Sequence, residues 1–147
     1  WRRKDNMINN VMVKVVGEQK SNRDESAVEP IELVTNGNLH EKNGIFYLKY
    51  DEYYEDLDKP VKNLLKFDAD SLSLTKKGDV SSEMSFKVGE TVDAYYSTPA
   101  GFIPMSILTE GYQMEKTDTG VNIAIVYIMD YGNDCLSFNV LRISVEQ

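Results

Sequence analysis

Glycines stand at Gly78, Gly89, Gly101, Gly111, Gly120 and Gly132, at intervals of 11, 12, 10, 9 and 12 residues. Turn formers at so even a spacing cut a chain into short segments, which suits strands joined by tight turns and leaves little room for long helices. The segments alternate in polarity. Val80, Met84 and Phe86 share a face with Ser82, while Ser81, Glu83, Ser85 and Lys87 occupy the other. Leu72 and Leu74 alternate with Ser71, Ser73 and Thr75, and Phe46, Leu48 and Tyr50 alternate with Tyr47, Lys49 and Asp51. A period of two puts successive side chains on opposite faces, so these are half-buried antiparallel strands. Asn43-Gly44, between Leu39-His40-Glu41 and Ile45-Phe46-Tyr47, suits a two-residue type I′ hairpin, because both residues tolerate positive φ.

The same patterns predict about ten strands, at 11–18, 30–41, 45–52, 61–67, 71–77, 80–87, 91–98, 102–109, 121–130 and 135–145, with 112–117 extending the set. Tyr54 to Leu65 is the nearest approach to a helical stripe, and Pro60 interrupts it. Helix is therefore expected only as a short turn near 53–60. Val121 to Met129 is apolar at nearly every position, which predicts cover on both faces, so this strand is expected to be central or to face a second subunit. Leu136, Phe138 and Val140 begin one face and Leu141, Ile143 and Val145 finish the other. That slip of phase predicts a bulge near Asn139. Sequential hairpins close most economically as an up-and-down antiparallel barrel, here of about 8–10 strands, which removes exposed edges. A β-sandwich is the alternative. Residues 1–10 are expected to form a poorly ordered N-terminal extension, and 11–147 a single all-β domain.

Composition excludes several chemistries. Cys135 is the single cysteine and His40 the single histidine, so neither an intrachain disulfide nor a Cys/His zinc site can form, and no metal or cofactor is expected. A reducing, cytoplasmic compartment is the simpler expectation. The longest wholly apolar run, Ile123 to Met129, is far short of the roughly 20 residues of a membrane helix. Trp1-Arg2-Arg3-Lys4 is basic, but Asp5-Asn6-Met7-Ile8-Asn9-Asn10 follows in place of an apolar stretch, so no secretion signal is expected. Residues 7–147 carry 13 bases and 23 acids. A field of that sign repels phosphate backbones, and nucleic acid is not an expected partner.

A set of ordered segments carries a resemblance. These are Val11-Met12-Val13-Lys14-Val15-Val16-Gly17-Glu18-Gln19, Glu41-Lys42-Asn43-Gly44, Lys77-Gly78 ahead of Met84-Ser85-Phe86, and Tyr96-Ser97-Thr98-Pro99-Ala100-Gly101 followed by Ile107-x-Thr109 and Tyr127. Over roughly residues 11–146 the chain resembles the YwiB-like family of bacterial proteins, which is similar in fold to the calycins. The resemblance implies a lipocalin-like barrel and brings no reaction with it. The Gly-x-Trp often found on the first lipocalin strand is absent, since Gly17-Glu18-Gln19 has no Trp and Trp1 lies outside the matched segments.

Candidate site residues come from the strands that would line such a barrel. Pro99 and Gly101 make a hairpin between 91–98 and 102–109. Tyr96, sharing a face with Val92, Ala94 and Thr98, is expected to point inward with its hydroxyl toward a ligand. Thr98, Thr109, Tyr127 and Arg142 complete the expected ligand-binding set, Arg142 through its fork of donors. Asp51, Glu52, Glu55, Asp56 and Asp58 are expected to form a solvated acidic loop. Asp68-Ala69-Asp70 opens like a calcium loop, but Leu72 occupies the fifth position. Lys76-Lys77-Gly78 lacks the phosphate-loop pattern and no Gly-x-Ser-x-Gly occurs. His40 and Cys135 lack the partners that base or thiolate catalysis requires. The expectation is a non-catalytic barrel that holds a small apolar or amphipathic ligand, with a packed structural or interaction module, homodimeric or otherwise, as the alternative.

Overall fold

The computed structural model describes residues 5–23 and 30–147, those at 5–9 by backbone alone. Ten strands form: β1 Asp5–Ser21, β2 Ile31–Lys42, β3 Ile45–Glu52, β4 Val61–Phe67, β5 Ser71–Lys77, β6 Ser81–Lys87, β7 Thr91–Thr98, β8 Gly101–Lys116, β9 Gly120–Asp130 and β10 Leu136–Glu146. Each pairs antiparallel with its sequence neighbour, and β1 pairs with β10, so the sheet closes on itself as an up-and-down barrel. Asn43 and Gly44 both take positive φ, 53° and 81°, as the type I′ hairpin requires. Residues 112–116 of the segment expected at 112–117 continue β8, through a register shift between Thr109 and Gly111.

The interior follows the alternation. Leu48, Leu65, Leu72, Phe86, Ile107, Ile125 and Ile143 are buried in one cluster, Phe46 stacks on Phe67 at 5.1 Å, and Phe86 meets Tyr127 at 4.7 Å. Two joins in the wall are thin. The β2–β3 ladder ends at Gly37 and Tyr50, above which residues 31–36 stay with β1 alone, and β6 meets β7 only from Ser81 to Glu83. Gly37 suits its place because a Cβ there would stand 2.6 Å from the Lys49 carbonyl oxygen.

Three expectations change. Strand β1 begins at Asp5, since Asp5 to Ile8 pair with Leu39 to Lys42 beyond a bulge at Asn9-Asn10; residues 1–4 lie outside the described residues. No helix forms at 53–60, where one turn, with Leu57 N–H donating to Tyr54 O at 3.2 Å, bridges β3 and β4. No bulge occurs at Asn139, because β10 keeps register with both β9 and β1. Its inward residues are Ser137, Asn139, Leu141, Ile143 and Val145, all buried except the half-buried Leu141. The apparent slip of phase arose because the upper inner wall is polar, while Leu136 and Phe138 face out.

Candidate functional site

Strands alternate in direction, so the ends of β1, β3, β5, β7 and β9 lie at one end of the barrel. This end, the mouth, carries the polar interior. Register aligns Tyr50 with Asn63, Asn63 with Lys76, Lys76 with Ser82, and Ser82 with Tyr96. One level of wall is thus polar across β3 to β7. The Lys76 ammonium donates to Glu52 Oε1 at 2.7 Å and to Asn63 Oδ1 at 2.8 Å, and Asn63 Nδ2 donates to Glu52 Oε1 at 3.3 Å. The Lys76 and Glu52 side chains are only 14% and 18% exposed, which makes this a largely desolvated pair. Burial alone would raise the Glu52 carboxyl, but the hydrogen bond and charge of Lys76, with Tyr54 and Asn63 beside them, hold it below the usual carboxylate range. Tyr54 turns its hydroxyl toward Glu52 and Tyr96, and burial followed by the Glu52 charge raises its phenol.

The facing wall is polar as well. Gln19 Nε2 donates to the Tyr131 hydroxyl at 3.2 Å, Ser137 donates to the same hydroxyl at 3.4 Å, and Asn139 Nδ2 donates to Ser137 Oγ at 3.0 Å. Below them, burial and then the neighbouring Tyr131 push the Tyr127 phenol up to about 12. Between the walls lies a cavity of about 260 Å³. Its apolar lining includes Val15, Gly17, Leu33, Leu74, Met84 and Leu141, and its polar lining includes Gln19, Glu52, Lys76, Tyr127 and Asn139. A separate groove of about 630 Å³ runs along the outer surface of β2 to β5, beside Asn36, Lys49, Lys62 and Lys77.

The expected residues divide. Tyr96 and Tyr127 point inward and pack on the core. Thr98 serves its turn: its hydroxyl accepts the Ala100 N–H at 3.1 Å and reaches Gly101 O at 3.4 Å. Thr109 is inward but 1% exposed, its hydroxyl has no hydrogen-bond partner among the described residues, and it lies off the cavity. Arg142 is on the outer face, 3.6 Å from Glu18, because β10 points Asn139, Leu141 and Ile143 inward. Sequence reasoning missed Glu52, Asn63 and Lys76. The signal was present: Asn63 sits in phase with Val61, Leu65 and Phe67, and Lys76 with Leu72 and Leu74. A polar side chain in an apolar phase is a buried polar group, and Glu52 was lost among the acids of its loop. Asp68 Oδ1 accepts the N–H groups of Asp70 and Ser71 at 2.8 and 2.9 Å, closing a turn. Among the described residues no group of His, Cys, Asp and Glu is placed to hold a metal ion.

A closed antiparallel barrel with an apolar floor and a polar mouth defines a lipocalin-like barrel protein. Residues 13–143 match the family described as Domain of unknown function (DUF1934), and the chain belongs to that family. Its fold is similar to that in the crystal structure of the ywiB protein from Bacillus subtilis, with a TM-score of 0.78 and 22% identity, covering 94% of this chain and 91% of that one. No curated protein matches the chain.

Proposed function

We propose that the barrel holds one small amphipathic molecule at its mouth and performs no chemistry on it. The observation that carries this is the Glu52–Lys76 pair with Asn63, set on the inner wall above an apolar floor. A buried ion pair is seldom more stabilising than apolar residues of the same volume, so its presence beside a cavity favours a role in binding. Two of the three ammonium donors of Lys76 are used by Glu52 and Asn63. The third suits an oxygen of the ligand's polar head, and the apolar body would lie on Leu74, Met84 and Leu141. The cavity of about 260 Å³ falls under the roughly 300–1,000 Å³ of drug-sized sites, which favours a compact ligand.

The test uses Gly17. No atom lies within 4 Å of a Cβ built there, and the residue lines the cavity. The Cβ of Gly17→Val therefore enters binding space with no protein atom within 4 Å of it. Native mass spectrometry and thermal shift across short fatty acids, alcohols and heterocycles should find a ligand for wild type that Gly17→Val no longer binds, with an unfolding midpoint at or above wild type. A wild type that binds none of these, or a Gly17→Val protein that binds as well, rejects the reading.

A further inference from the structure

Strand β9 is apolar on both faces. Its inward Val121, Ile123 and Ile125 belong to the core, and its outward set is Ala124, Val126 and Ile128. Register extends the outward set across neighbouring strands: Leu108, Ile128 and Phe138 form one row, and Gly111, Val126 and Val140 the next. Leu108, Val126 and Phe138 are 37%, 42% and 45% exposed. No described element covers this face. Exposed apolar side chains on other strands, such as Met12, Val34 and Leu64, stand among charged neighbours such as Lys14, Lys62 and Lys66, whereas here they fill two successive rows across three strands. Strands β9 and β10 are paired on both sides along their length, so association through them must use their face.

The charges around the patch say what covers it. On β9, Asp130 stands one outward position beyond Ile128 toward the mouth; on β10, Arg142 stands one outward position beyond Val140 toward the other end. Opposite charges thus cap opposite ends of the patch at equal distance from its centre. A two-fold axis lying in the interface and running across the strands brings Asp130 of one copy against Arg142 of the other, and symmetry repeats the pair. Among the described residues Arg142 pairs with Glu18 across an exposed 3.6 Å contact, a kind of pair worth little in water.

We propose that this face joins two copies of the chain in an isologous dimer, with Val126, Ile128, Phe138 and Val140 at its centre. Sedimentation equilibrium from about 1 μM to about 1 mM spans ordinary dimer affinities. Wild type should dimerise in that range, and Val126→Glu or Phe138→Lys should weaken the dimer at least about a hundredfold. Asp130→Arg alone sets two guanidinium groups against each other, and Arg142→Asp alone sets two carboxylates together. Each should cost about tenfold, which is 1.4 kcal/mol, and the double exchange Asp130→Arg/Arg142→Asp should restore the affinity. Circular dichroism and the unfolding midpoint establish that each variant is folded, and the exposed charge pair still decides the matter if Val126→Glu is not. A monomer throughout the range, a dimer indifferent to Val126→Glu and Phe138→Lys, or a double exchange no tighter than the single ones overturns the proposal. The first of these outcomes would leave the face to a different partner.

Discussion

Replacing Lys76 by Met removes the cation from the mouth and keeps most of its volume. The ammonium lies 2.7 Å from Glu52 Oε1. At an effective dielectric constant of about 20, Coulomb's law gives a gross attraction of about 6 kcal/mol, against a desolvation penalty of several kcal/mol per ion. Breaking a fully buried pair on one side costs roughly 3–5 kcal/mol. With exposures of 14% and 18% the lower part of that range applies, and Lys76→Met should cost about 3 kcal/mol. The double variant Glu52→Gln/Lys76→Met leaves no buried charge and should cost about 1 kcal/mol or less. The pH dependence carries the sign. In wild type the Glu52 carboxyl is held below the ordinary carboxylate value of 4.5, so its contribution is present above that pH and is lost as pH falls through the folded pKa. In Lys76→Met burial acts without the cation and raises the carboxyl instead. The variant's deficit should then shrink between pH 7 and about pH 4. Urea unfolding of the four proteins in the cycle at both pH values measures this. A deficit under about 1 kcal/mol at pH 7, with additive single effects, would refute the reasoning.

Thr109→Val replaces an unpartnered buried hydroxyl with a methyl of similar size. The midpoint of thermal unfolding should rise by about 2–4 °C, as roughly 1 kcal/mol does for a chain of this size. Because Tyr127 is raised from 10.0 to about 12 in the fold, wild type should lose stability as pH rises through that window. Tyr127→Phe should lose less over the same range, read by denaturant titration at two alkaline pH values. Gly37→Ala drives a methyl to 2.6 Å from the Lys49 carbonyl and should destabilise by about 1–3 kcal/mol. Gly17→Ala meets nothing within 4 Å and serves as its control.

The alternation of Phe46, Leu48 and Tyr50, and of Leu72 and Leu74, was legible because a strand with one wet face writes its orientation locally, every second residue. Asn43-Gly44 was legible for a similar reason, since positive φ at two successive residues restricts side-chain choice within the turn itself. β10 misled because Ser137 and Asn139 are inward polar residues whose partners include Tyr127 on β9 and Tyr131 in the turn after it. Thr98 was placed in the site by the face it shares with Tyr96, and Arg142 by its strand and its fork of donors; the structure turns the Thr98 hydroxyl to its own hairpin and Arg142 to the outer face.

What the sequence by itself determined, then, is an antiparallel all-β chain of about ten strands with an apolar interior, since period and turn chemistry are written locally; a closed barrel was the expected arrangement because it removes edges, with a β-sandwich as the alternative. Only the tertiary structure decided that Tyr50, Asn63, Lys76, Ser82 and Tyr96 stand at one level of the wall, with Glu52 one inward position nearer the mouth. Their neighbourhood is set by the register of five strands, in which a slip of one residue would turn every side chain to the other face. That register is held by the whole ladder, so the mouth's chemistry exists only once the barrel has closed.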